Sequence, residues 1–189
     1  MGPIVVIAAS TGGLPPLRQV VAALPASCTA SVFIVWHTGR HPSILPDILA
    51  MTSHLPVSHG EDGHPIEAGH IYVAPPDEHM YLDRGIIRLD HGAKVNFTRP
   101  AADPLFISAA ETYGERVVGI VLSGYDSDGT EGLRVIKERG GVALVQKAEE
   151  AEQPSMPCSA IMAGHPDACL SGEEIGARVA VLCGGFSVS

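Results

Sequence analysis

The chain is short of positive charge: 12 Lys and Arg stand against 21 Asp and Glu, a formal net charge of −9 over 189 residues. That balance argues against nucleic acid or an anionic membrane as the main partner. Long apolar runs are missing too. Stretches such as Ile4 to Ala9 fall far short of the roughly 20 residues that cross a bilayer, so no membrane insertion is expected. The four cysteines (Cys28, Cys158, Cys169 and Cys183) include no C-x-x-C pair and read as ordinary thiols of a reducing compartment. Met1-Gly2-Pro3 leads directly into an apolar stretch, without a charged n-region or cleavage site. The reading is a soluble cytoplasmic protein. There are no internal repeats and no low-complexity segments. Nine histidines are present, but no H-E-x-x-H or similar close ligand pair, so no metal is expected. His37 and His41 are four apart, yet Gly39 and Pro42 oppose a shared helical face. G-x-G-x-x-G is absent as well, which disfavours a dinucleotide cofactor.

What is present is a chain that is 46% hydrophobic and patterned for alternating strands and helices. One domain over residues 1–189, with a sizeable core, fits that length. The organising stretch is Ile4-Val5-Val6-Ile7-Ala8-Ala9-Ser10-Thr11-Gly12-Gly13. An unbroken apolar run closed by turn residues predicts a strand buried on both faces. Leu14 to Leu24 has helical spacing, with Pro15 and Pro16 in the tolerated first turn. Further strands are expected at Ser31–Trp36, His70–Ala74, Val117–Leu122 and Val142–Val145. A hairpin is expected over His79–Leu89, with Asp83-Arg84-Gly85 in its turn. Helices are expected at Ile44–Met51, at Pro104–Tyr113 with Asp103 as N-cap, at Glu131–Arg139, at Ser159–Ala163 and at Glu173–Leu182. Leu55–Gly69 and Glu149–Pro157 read as irregular. The fold class is α/β, a doubly wound, mostly parallel sheet with helices on both faces and one small hairpin insertion.

Three of these strands end at chemically useful residues: Ser10, His37, and the Asp126/Asp128 pair. In a parallel sheet such ends share one edge, where open α/β folds place their ligands, and adjacent strands are about 4.8 Å apart. Serine, histidine and aspartate meeting there form a nucleophile, a base and an acid that orients the base. The chain order Ser, His, Asp is no objection, because triads are defined by geometry and role. The helix after Ser10 is expected to aim N–H groups and its positive dipole end at the same spot. Each residue has a plainer reading: Ser10 as a turn residue, His37 as a surface histidine, and Asp-Ser-Asp-Gly as a capped loop.

The motifs also carry a resemblance. Ala9-Ser10-Thr11-Gly12-Gly13, His37 after an apolar strand, and Leu122-Ser123-Gly124-Tyr125-Asp126-Ser127-Asp128-Gly129 resemble the catalytic domain of the bacterial chemotaxis protein-glutamate methylesterase, CheB. Glu61-Asp62-Gly63, Ile71-Tyr72-Val73-Ala74-Pro75, Arg99-Pro100, Asp103-Pro104-Leu105-Phe106 and Ser108-Ala109-Ala110 extend it over nearly the whole chain. The resemblance implies a Rossmann-like serine hydrolase that demethylates glutamate methyl esters on chemoreceptor helices, releases methanol, and deamidates receptor glutamines. It makes Ser10 the nucleophile, His37 the base and Asp128 the acid, with Thr11 and the Tyr125 backbone on the oxyanion side. Methylated chemoreceptor helices are the implied partner. The family's usual N-terminal receiver domain has no counterpart in these residues. Trp36, Tyr125 and Asp126 stand where the family has Gln, Met and Gly. The alternative is a catalytically inactive CheB-like adaptor or regulatory binding module.

Overall fold

The computed structural model describes residues 2–183. Its order of strands and helices is β1 (Ile4–Ala9), α1 (Leu14–Ala22), β2 (Ser31–Trp36), α2 (Leu45–Ala50), β3 (Val57–His59), β4 (His70–Val73), β5 (His79–Asp83), β6 (Ile86–Asp90), α3 (Ala102–Tyr113), β7 (Val117–Val121), α4 (Thr130–Glu138), β8 (Val142–Gln146), α5 (Ser155–Ala163), β9 (Ala168–Leu170) and α6 (Gly172–Cys183). Seven strands form one sheet in the order β3-β4-β2-β1-β7-β8-β9, with every neighbouring pair parallel. β5 and β6 form the separate antiparallel hairpin, and its turn residues Arg84 and Gly85 take φ of 44° and 89°, the left-handed pair that a two-residue hairpin loop needs.

β1 is central, and every one of its residues is buried. Alternate side chains serve opposite faces. Ile4, Val6 and Ala8 pack with Leu105, Phe106 and Ala109 of α3, Leu133 and Ile136 of α4, and Met156 and Ala160 of α5. Val5, Ile7 and Ala9 pack with Leu17, Val20 and Val21 of α1, Leu49 of α2, and Ile175 and Val179 of α6. An unbroken apolar run is therefore what a strand sandwiched between two helical layers requires.

The chain builds outward from β1 through β2 to β4 and β3, then returns to add β7, β8 and β9 on β1's other side. The winding reverses beside β1, and such a switch point opens a crevice at the carboxyl ends of the strands. Ser10 leaves β1 at that crevice.

Several expected boundaries differ. β3 and β9 lie in stretches read as irregular or left unassigned; at three residues each they are too short to show a period, and pairing with β4 and β8 makes them strands. α5 begins at Ser155, within the segment expected to be a polar loop. Asp103 is not the N-cap of α3. That position is Ala101, and Asp103 lies inside the first turn.

Candidate active site

The backbone register sets Ser10 and His37 at the ends of adjacent strands. β1 and β2 pair in parallel through Ala9 and Trp36, so Ser10 and His37 are the next residues on neighbouring strands. On the other side Ser10 N–H donates to the Ser123 carbonyl at 2.9 Å, where the chain leaves β7. Gly13 N–H donates to the Ser10 carbonyl at 2.8 Å, closing the turn. Gly12 takes φ of +72°, and a Cβ there would lie 2.8 Å from Ser123 Oγ, so both the turn and its close packing call for glycine. Gly124 is needed for space: a Cβ would strike Met156 Sδ and lie 2.9 Å from Ser10 Cβ.

His37 and Asp128 meet directly. His37 Nε2 lies 2.7 Å from Asp128 Oδ2, and the two side chains are 14% and 1% exposed. Asp128 takes three further donors. Ala102 N–H reaches Oδ2 at 2.6 Å, while Asp103 N–H and Asn96 Nδ2 reach Oδ1 at 3.2 and 3.0 Å. Two of these are main-chain groups of the first turn of α3, whose dipole favours a negative charge there. Burial pushes the Asp128 carboxyl up, but the hydrogen bonds from His37, Ala102 and Asn96 and the charge of His37 outweigh it, so it sits below the ordinary carboxylate value. An ionised carboxylate only accepts hydrogen bonds. His37 Nε2 therefore carries a hydrogen, and the neutral ring leaves its lone pair on Nδ1.

Asp128 caps α3 rather than the helix it precedes. α4 starts from Gly129 at φ 88° with no side-chain cap. Asp126, expected to be an addition beside the site, is exposed at φ 66°, and its carbonyl accepts from Ser155 Oγ at 3.2 Å. Tyr125 is 54% exposed, and Thr11 is exposed.

Two peptide planes beside Ser10 are fixed in orientation. The Ser10–Thr11 plane is held by the bond to the Ser10 carbonyl, and the Gly124–Tyr125 plane by Met156 N–H donating to the Gly124 carbonyl at 2.9 Å. In a trans peptide the N–H points opposite to its carbonyl, so the Thr11 and Tyr125 N–H directions are set. The expected N–H array of α1 is thinner than foreseen. Pro15 and Pro16 lie in its first turn and have no N–H.

Sequence reasoning missed several supports. Ser123, fully buried, accepts Gln153 N–H at 2.9 Å, donates to the Thr11 carbonyl at 2.8 Å, and gives its own N–H to Gln146 Oε1 at 2.9 Å. A polar residue directly after a buried strand was its visible signal. Asn96 lies outside every element expected from the sequence, and Asp103 was expected only as an N-cap. His79, buried in β5, accepts Ala101 N–H on Nδ1 at 3.2 Å and faces the Ala93 carbonyl through Nε2 at 3.0 Å. Among the described residues no group of three or more His, Cys, Asp and Glu could hold a metal.

Comparison with known proteins decides the family: the CheB methylesterase family model matches residues 5–179. The chain belongs to the CheB methylesterase family. A Leptospira interrogans relative is 37% identical over 173 residues, covering 90% of each chain. A Caulobacter vibrioides protein named protein-glutamate methylesterase/protein-glutamine glutaminase 2 is 40% identical over 187 residues, covering 95% of this chain and 54% of that one. The chain thus spans about half the length of that relative. The crystal structure of the Thermotoga maritima CheB methylesterase catalytic domain superposes with a TM-score of 0.90 at 33% identity, over 96% of this chain and 99% of that one. The α/β fold expected from the strand pattern is the CheB fold. No helix among the described residues is long and apolar enough to cross a membrane.

Proposed function

We propose that this CheB-family chain is a cytoplasmic serine esterase. In this reading its residues act as one catalytic domain that hydrolyses γ-glutamyl methyl esters on chemoreceptor helices and deamidates glutamines at equivalent positions. The observation that carries the proposal is the buried His37–Asp128 contact at 2.7 Å, one strand away from Ser10 in register.

In the proposed cycle Asp128 accepts Nε2–H and fixes the tautomer, and Nδ1 takes the proton of Ser10 Oγ. Oγ attacks the ester carbonyl. The Thr11 and Tyr125 N–H groups face the resulting oxyanion. The tetrahedral adduct expels methoxide, which leaves as methanol with the proton from Nδ1. Water then gives a proton to Nδ1 and attacks the γ-glutamyl–Ser10 ester. The second tetrahedral adduct expels Ser10 Oγ, which takes the proton back from Nδ1, and the released γ-carboxylic acid ionises in water to the carboxylate. With a glutamine substrate the first leaving group is ammonia. No metal or organic cofactor enters this scheme.

The test is methanol release from receptor membranes methylated in the same cell. Release by the wild type and none by a folded Ser10→Ala variant is the expected result. No release, together with no reaction of Ser10 with a serine-directed phosphonate, would favour a non-catalytic adaptor.

A further inference from the structure

Two helix N-termini in this fold are capped crosswise. Asp128, which precedes α4, accepts the Ala102 and Asp103 N–H groups of α3. Asp103, in the first turn of α3, accepts the Gly132 N–H of α4 on Oδ1 at 2.8 Å. Neither helix has a side-chain cap at its own N-cap residue. Both carboxylates are buried, at 7% and 0% exposure for Asp103 and Asp128. One nitrogen joins them: Asn96 Nδ2 donates to Asp103 Oδ2 at 2.7 Å and to Asp128 Oδ1 at 3.0 Å. The amide has two hydrogens, one for each acid. The bridged oxygens are no farther apart than the sum of those two bonds.

We propose that Asp103 and Asn96 are positioning residues for the esterase reaction. Asn96 holds the Asp128 carboxylate against His37, and Asp103 adds a second buried negative charge behind Asp128 that favours the imidazolium formed during catalysis. This rests on the Ser10–His37–Asp128 reading above.

A plain capping role would need only one acceptor at Gly132 N–H. It would not need two buried acids side by side, an arrangement that costs free energy through repulsion. Burial first, and then the Asp128 charge, raise the Asp103 carboxyl above its ordinary value, only partly offset by the Gly132 and Asn96 bonds. The charge is offset by three things: the N-terminus of α4, the shared Asn96 amide and, once His37 takes the serine proton, the imidazolium. The same arrangement lets a group beyond the triad act on the base through its acid.

Other titratable and charged groups lie on the segments that lead into and out of this centre. Arg40 and His41 lie on the loop after β2, and His79 of β5 sits at the start of α3. Tyr125, Asp126 and Glu131 flank Asp128 in the chain. Asp77 is held by Arg99, whose Nε and Nη2 reach Oδ1 at 3.1 and 2.8 Å. Asp103 is the acid that shares a donor with Asp128, so its removal isolates the effect.

The experiment measures inactivation by a serine-directed phosphonate and ester kinetics, each against pH, for wild type, Asp103→Asn and Asn96→Ala. Asn keeps the shape of Asp and an oxygen for Gly132 N–H, but no charge. The expected result for Asp103→Asn is that the rise of both rates with pH moves down by about half a unit, with kcat about threefold to tenfold lower and KM unchanged. Asn96→Ala leaves both helix caps in place and is expected to lower kcat about tenfold at unchanged KM. An unmoved pH profile in Asp103→Asn would make Asp103 a cap and overturn its part of the proposal, whatever happens to the melting temperature. Unchanged kcat in Asn96→Ala would overturn the other part. Wild type that fails to react with the phosphonate would instead refute the hydrolase reading itself.

Discussion

Replacing Asp128 by Asn tests the whole arrangement, because the geometry leaves Asn no good orientation. Asp128 Oδ2 faces His37 Nε2 and Ala102 N–H; Oδ1 faces Asn96 Nδ2 and Asp103 N–H. Asn has one oxygen and one NH₂, so whichever way it turns, the NH₂ points at donors. Turned toward His37, it opposes Ala102 N–H and invites the ring to present an Nε2 lone pair. The hydrogen then moves to Nδ1, and the lone pair that the proposed mechanism needs there for Ser10 is lost. Turned the other way, it keeps the tautomer but opposes Asn96 and Asp103 N–H and supplies no charge to the imidazolium. Either orientation leaves at least one buried donor unmatched, at about 1–3 kcal/mol. At roughly 2–4 °C per kcal/mol for a chain of this size, the melting temperature should fall by several degrees. Activity should fall much further, by on the order of 10³ to 10⁴ in kcat, the loss typical of a triad acid replaced by its amide. The assay is methanol release from a helical peptide carrying one γ-glutamyl methyl ester, with the folded fraction checked by circular dichroism at the assay temperature. An Asp128→Asn protein that is folded and keeps a tenth of wild-type kcat would refute the reasoning. A protein unchanged in both stability and activity would refute the hydrogen-bond geometry as well.

Further outcomes follow from the same site. Ser10→Ala should keep the fold and lose activity by several powers of ten, read in the same methanol assay. For wild type, kcat/KM should depend on pH through the base that takes the Ser10 proton, and a His37→Gln variant that kept wild-type kcat/KM and the same profile would exclude His37. Asp126→Asn should change kcat/KM by about tenfold or less, since Asn tolerates the left-handed backbone at φ 66° and the side chain is exposed; a larger loss would assign the wrong carboxylate. The acid pair also sets pH-dependent stability. Asp128 is lowered from its ordinary value of 3.8, so its contribution is present above about pH 4 and is lost as pH falls through its folded value. Asp103 is raised, so it weighs against the fold as pH climbs from about 4 through its own folded value. Chemical denaturation of Asp103→Asn and wild type from pH 4 to 7 should therefore show the variant gaining on wild type as pH rises.

The sequence by itself determined the sheet interior and the positions of the three candidate residues. Runs such as Ile4–Ala9 and Val117–Val121 are apolar on both faces because a strand between two helical layers meets no water, and that pattern is local. Ser10, His37 and Asp128 were visible because polar residues that end such runs fall on the same edge of a parallel sheet. The tertiary structure alone decided the rest. β3 and β9 are strands because a neighbour pairs with them, and three residues have too little periodicity to announce that. Asp103 looked like the cap of its own helix, since Asp near a helix start usually is. It caps α4 instead, while Asp128 caps α3, because the packing of α3 against α4 brings the two N-termini together. Asn96, Ser123 and Gln146 matter through partners 7 to 112 residues away in the chain. No pattern in a window of residues records such pairings; they exist only once folding has closed the distance.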